Sequence, residues 1–141
     1  MKQYLKEFDK LVNIMARLRS KKGCMWDKEQ THKSLVRYLE SEAKELKRAV
    51  QKNDMKNLEE ELGDVLLQVV FHAQIAKEKK KFDIAGIIKK LNAKLIRRHP
   101  HVYGKYKVKN TADIIKMWKE VKNKEKQLKI KNYKLKINGN D

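Results

Sequence analysis

Residues 57–76 read "NLEEELGDVLLQVVFHAQIA", a stretch that opens acidic and turns almost wholly apolar. The apolar run predicts a helix over about residues 55–78, the most buried of the chain by pattern. Glu61 and Asp64 nevertheless stand where its buried part begins. A buried ionised carboxylate is unfavourable unless positive charge or hydrogen bonds offset it. Either these acids sit in solvent at a frayed helix end, or they hold a cation.

The flanking sequence supplies the partner. Upstream, Leu35, Leu39, Ala43, Leu46 and Ala49 keep helical spacing to about residue 50, with Thr31 or Ser34 as the expected N-cap. Between the two helices lies "QKNDMKN", a short polar turn in which Asn53-Asp54 is favourable turn chemistry. A turn this short makes the two helices antiparallel neighbours. Glu42 and Glu45 on the first helix are three apart, as are Glu61 and Asp64 on the second, so each pair shares a face. Counted from a turn centre near residue 53, Glu45 and Glu61 lie at equal distances, as do Glu42 and Asp64. Four carboxylates can therefore converge.

Such a group repels itself and calls for a hard divalent cation with oxygen preference, Mg²⁺ or Mn²⁺. Glu61, Asp64, Gln68 and His72 also follow one polar line along the apolar helix, as residues lining a cavity do. The alternative is a solvated acidic end paired with Lys44, Lys47 and Lys56. Glu40, Glu59 and Glu60 point elsewhere and are expected in solvent.

The rest of the chain reads as helix too. Leu5, Phe8, Leu11, Val12, Met15 and Leu18 form a first helix, broken at "SKKGCMWDKEQT" with Gly23 as the stop. Ile87, Ile88, Leu91 and Leu95 mark a helix over residues 84–98, which Pro100 ends. "HVYGKYKVKN" reads as a loop, and Thr111 as the cap of a short helix through Ile114, Ile115, Trp118 and Val121. The expected fold is all-α, an antiparallel bundle of four core helices plus a short C-terminal one. Residues 1–121 form the domain, and residues 122–141 a loose basic tail.

Composition narrows the function. With 141 residues and 40% apolar content, one domain with one core is expected. No apolar run approaches a membrane span and no leader pattern is seen. The single cysteine, Cys24, cannot form an internal disulfide, so a cytoplasmic location is expected. Net charge is +18 and uneven: residues 1–76 hold 15 Lys and Arg against 12 Asp and Glu, residues 77–141 hold 21 against 6. This excess suits an anionic partner, a nucleic acid or a phosphorylated small molecule. A lysine-rich composition without any partner is the plain alternative.

Within the basic half, Lys94, Arg97 and Arg98 sit at helical spacing, and arginine suits bidentate phosphate contact. An ordinary basic helix end fits the same residues. Trp26 and Trp118 are the candidates for stacking on a base, or else core tryptophans. His99 and His101 flank Pro100 without a third soft ligand and read as structural; His72 reads as a hydrogen-bonded core histidine.

Together "GCMWDKEQT", "ESEAKEL", "EEELGDVLLQVVFHAQIA" and "KLIRRHPHVYG" closely resemble the MazG family of all-α nucleoside triphosphate pyrophosphohydrolases, over roughly residues 11–104. "MWKEVKNKEK" continues the resemblance more weakly. The resemblance implies a helical bundle assembled as a homodimer or dimer of dimers. It also implies Mg²⁺-dependent hydrolysis of nucleoside triphosphates to monophosphate and pyrophosphate, in nucleotide-pool housecleaning or alarmone control. The family's acidic pattern reads E-E-x-x-E, then E-x-x-D. Glu42, Glu45, Glu61 and Asp64 match the positions associated with metal, whereas Ser41 replaces the first Glu. Glu40 cannot substitute without rotating about 100° around the helix. Met25 stands where the family usually has proline.

On this reading Glu42, Glu45 and Glu61 are the catalytic candidates, Glu45 first among them to orient or deprotonate water. Lys94, Arg97 and Arg98 take phosphate, and Trp26 leads Trp118 for the base. Two other readings compete. One is a nucleotide-binding regulator without turnover, which the Ser41 departure favours. The other is a basic helical module using residues 77–141 on RNA or DNA, which leaves the level acidic pairs unexplained.

Overall fold

A computed structural model describes residues 1–139, and every regular element among them is helical. In order these are α1 (Gln3–Leu18), α2 (Met25–Glu29), α3 (His32–Gln51), α4 (Met55–Glu78), α5 (Ile84–Arg97), α6 (Pro100–Tyr103) and α7 (Thr111–Asn138). The chain forms two compact units, Met1–Ile87 and a second from Ile88 onward.

The first unit is built on α1, α3 and α4. Met15 of α1, Leu35 of α3, and Val70, Phe71 and Ile75 of α4 form its buried cluster, with Phe8, Leu11, Tyr38 and Leu67 packed around it. Fully burying side chains of this size stabilises by about 2 kcal/mol each. The all-α bundle is as expected; α5 begins in this unit and runs into the second, contributes no fully buried residue, and leaves its Leu91, Leu95 and Ile96 exposed.

Local chemistry sets the helix ends. Thr31 and Ser34, the two candidate caps of α3, act together. The Thr31 hydroxyl accepts from the Ser34 N–H at 3.0 Å, and the Ser34 hydroxyl accepts from the Thr31 N–H at 2.9 Å. The α3–α4 turn closes through Asn53, which takes the left-handed conformation (φ 52°), and Asp54, whose carboxylate accepts from the Asn57 N–H at 3.2 Å. Asn is among the few residues besides glycine that adopt that conformation readily. After α1 the chain folds back so closely that a Cβ on Gly23 would lie 2.2 Å from the Leu18 carbonyl oxygen. That approach leaves room only for glycine at this position.

In the second unit α7 departs from expectation twice. Its N-cap is Asn110, which accepts from the Asp113 N–H at 3.0 Å, so Thr111 is the first helical residue and not the cap. The helix also continues for 28 residues instead of ending near Val121. No glycine or proline interrupts residues 111–138, and Lys, Glu, Gln and Leu are good helix formers. The tail expected to be loose is therefore helical through Asn138, and its last two residues lie outside the described ones. "HVYGKYKVKN" likewise opens with the short α6, with Pro100 at its first turn.

Candidate active site

The α3–α4 hairpin brings Glu42, Glu45 and Glu61 together, each offering a carboxylate oxygen within 4.8 Å of the others. Glu61 is buried, at 8% exposure, and Glu42 and Glu45 are half-buried. Asp64 is half-buried and stands outside this three-member set, yet its charge reaches both Glu42 and Glu61. Burial pushes the Glu42 carboxyl above its ordinary pKa, with Asp64 and Glu45 pushing the same way. Burial also raises Glu61, reinforced by Glu45, Asp64 and Glu42.

Nothing basic answers these charges. Among the described residues no lysine or arginine forms an ion pair with any of the four acids; the ion pairs there are Arg19–Glu78, Arg97–Glu125 and Arg98–Glu125. The paired, solvated end involving Lys44, Lys47 and Lys56 is thus not formed. One oxygen each of Glu42 and Glu61 is buried with no hydrogen-bond donor, as is the Gln68 carbonyl oxygen. Orphaned buried acceptors on two members of a carboxylate cluster suit a cation with oxygen preference. The donor set is all oxygen, so it fits Mg²⁺ or Mn²⁺ better than Zn²⁺. Glu40, Glu59 and Glu60 are exposed, as expected.

Beside the cluster runs the polar line of α4. Gln68 is buried at 6% exposure. One turn on, His72 meets His32 of α3, Nδ1 to Nδ1 at 2.7 Å, with rings stacked 5.0 Å apart and 1° from parallel. Burial lowers the His72 pKa, and His32 lowers it further. His72 is thus hydrogen-bonded and half-buried.

Trp26 on α2 packs edge-on against Tyr38 and Phe71, at centroid distances of 5.6 and 6.4 Å, and remains 47% exposed. Arg19 secures this region and escaped sequence reasoning. Its guanidinium donates to the Asp27 and Gln30 carbonyls, pairs with Glu78 at 2.9 Å and lies 5.7 Å over the Phe71 ring. Its partner Glu78 is 59 residues away, and no local pattern announces it.

In the second unit Arg97 and Arg98 converge on Glu125. Arg97 Nε donates to it at 2.6 Å and Arg98 Nη2 at 3.1 Å. The two guanidinium hydrogen bonds lower the Glu125 pKa to about 2. Lys94 is exposed without an ion pair among the described residues. Trp118 is half-buried; its indole N–H donates to the Arg98 carbonyl at 2.8 Å and its ring packs edge-on against His99. That leaves Trp26 the more open of the two tryptophans.

The Glu125 triad sets an acid limit. A folded pKa near 2 against the ordinary 4.5 means the stabilisation is complete above pH 4.5 and lost as pH falls toward 2. Glu125→Gln is expected to lower stability by about 1 kcal/mol at neutral pH and by nothing near pH 2, given the partly exposed arginines. Denaturant melts of both proteins at pH 7, 4.5 and 2.5 check it; a constant difference would show that the ion pairs contribute nothing.

A family model described as the MazG nucleotide pyrophosphohydrolase domain matches residues 30–103, which contain all four acids of the hairpin. The chain belongs to the MazG family. It is 51% identical over 119 residues to a Thermotoga maritima protein named nucleoside triphosphate pyrophosphohydrolase/pyrophosphatase MazG, covering 84% of this chain and 45% of that one. It is 40% identical over 126 residues to the Escherichia coli K12 protein named nucleoside triphosphate pyrophosphohydrolase, covering 89% and 48%. The crystal structure of a mazG-related protein from Thermotoga maritima superposes with a TM-score of 0.68 at 34% identity, covering 82% of this chain and 98% of that one. The chain thus spans about half the length of these curated relatives. Ser41, within the matched residues, is exposed on α3, and Met25, just before them at the start of α2, is 75% exposed.

Proposed function

We propose that this MazG domain hydrolyses nucleoside triphosphates, ribo or deoxy, to monophosphate and pyrophosphate, with Mg²⁺ held by Glu42, Glu45 and Glu61 and with Asp64 beside them. The observation that carries the reading is the pair of buried, donor-less carboxylate oxygens on Glu42 and Glu61 inside an ion-sized cluster. The names of the relatives at 40–51% identity point to the same reaction. When bound, Mg²⁺ (or Mn²⁺ in its place) offsets triphosphate charge and makes a water more acidic.

The remaining roles fall to the chain itself. Glu45 is the choice to orient the attacking water and accept its proton, since Glu61 is the more deeply buried and Glu42 holds an orphaned oxygen. Trp26, packed on one edge and half exposed, offers a ring for a base of any identity. Lys94, Arg97 and Arg98 are proposed for phosphate on their chemistry, and Arg97 and Arg98 would have to leave Glu125 to serve. The open apolar residues of α5 support a homodimer or dimer of dimers. A cytoplasmic role in nucleotide-pool housecleaning or alarmone control completes the proposal. The commitment of both arginines to Glu125 favours one second reading, nucleotide binding without turnover.

The test is pyrophosphate release from a panel of ribo- and deoxynucleoside triphosphates with Mg²⁺, Mn²⁺ or EDTA. Release that needs a divalent ion is the expected result. Thermal stabilisation by nucleotide with no pyrophosphate would select the non-hydrolytic reading.

A further inference from the structure

The second unit carries a surface that hydrolysis does not use. Lys119, Lys122, Lys126, Lys129, Tyr133 and Lys136 follow one another along α7 at alternating steps of three and four. At 100° per residue these six stay within about 100° of arc and extend about 25 Å along the axis. All six are exposed, Tyr133 at 67%. None of the five lysines forms an ion pair among the described residues.

The acids of α7 do not compensate this line. Asp113 accepts the Lys109 N–H at 3.0 Å, Glu120 accepts the Tyr106 hydroxyl at 3.1 Å, and Glu125 is held by two arginines. The line also lies outside residues 30–103, which match the family model. Unpaired lysines spaced along a rod attract a linear polyanion, and an exposed aromatic ring among them can stack on an unpaired base.

We propose that this face of α7 binds single-stranded nucleic acid, phosphates along the lysines and a base on Tyr133. An anionic membrane fits less well. Leu128 and Leu135 lie on the side of the helix opposite Ile130, Tyr133 and Ile137, so no single apolar face exists to enter a lipid surface.

Fluorescence anisotropy of the full chain with labelled 20-mer oligouridine and oligothymidine tests this. Binding of either in the micromolar range at 50 mM salt is expected. Five phosphate contacts predict a log–log salt slope of about −3.5, a loss of about 100-fold by 200 mM. Replacing Lys122, Lys126 and Lys129 together by Gln should reduce that slope by about 2, and Tyr133→Ala should weaken binding about tenfold. The control removes the same charge elsewhere on the helix (Lys124→Gln, Lys131→Gln and Lys134→Gln), with circular dichroism confirming that helix content is kept in both triples. Equal loss in the two triples would reduce the effect to net charge and overturn the proposal. So would duplex binding as tight as single strand, or capture by phosphatidylserine vesicles without oligonucleotide binding.

Discussion

Glu61→Gln is expected to lower pyrophosphate release by about 10² or more while leaving the fold intact. Glu61 is the most buried of the three clustered acids and carries a donor-less oxygen, so its charge is the one least screened by water. Losing a cation-holding carboxylate at such a position removes about 3 kcal/mol or more of transition-state stabilisation. The same substitution should act in the opposite direction on the metal-free protein. Burial and three neighbouring carboxylates raise the Glu61 pKa, so its ionised form is disfavoured by folding at neutral pH. Gln keeps the shape and removes the charge, and the metal-free melting temperature should rise. The sign in pH follows: a raised folded pKa means metal-free wild type gains stability as pH falls through that pKa toward the ordinary 4.5, and Glu61→Gln gains less. Added Mg²⁺ should stabilise wild type and leave the variant unmoved. Full turnover by Glu61→Gln, or equal Mg²⁺ stabilisation of both proteins, would remove the metal assignment.

Phe71→Ala is expected to produce the largest loss of stability, about 3–5 kcal/mol. Phe71 is 2% exposed in the main cluster and meets both the Trp26 ring and the Arg19 guanidinium. Truncation leaves a cavity between α1, α3 and α4 and removes an aromatic contact worth about 1 kcal/mol. A loss of this size is about a fifth or more of the stability of an ordinary domain. Urea midpoints measure it, and Trp26 emission should shift as its edge contact disappears. A change below about 1 kcal/mol would mean that the α4 core repacks around the gap and that Phe71 does not anchor the α2 loop.

The hairpin was legible because everything that makes it is local. Apolar spacing defined α3 and α4, Thr31 and Ser34 announced a cap, and Asn53-Asp54 announced a short turn. Once two helices run antiparallel through so short a turn, residues at equal distances from it must face each other, so the meeting of Glu42, Glu45 and Glu61 followed by counting. Asp64 was counted in as well, and it lies near enough to act by charge but outside the closest set. The length of α7 was also written in the chain. Ile114, Val121, Leu128 and Leu135 repeat every seven residues, but lysines between them lowered the apparent periodicity.

Pairings across long separations were decided by tertiary structure alone. Arg97 and Arg98 look like free phosphate ligands until Glu125, 28 and 27 residues on, takes both. His72 finds His32 at a separation of 40 residues, and Arg19 finds Glu78 at 59. Trp118 gives its N–H to the Arg98 carbonyl, 20 residues away. Helical periodicity constrains residues within a few turns through one backbone geometry. Which distant side chain arrives opposite a given charge depends on how separate helices dock, a choice made by packing over the whole unit and recorded in no short stretch of sequence.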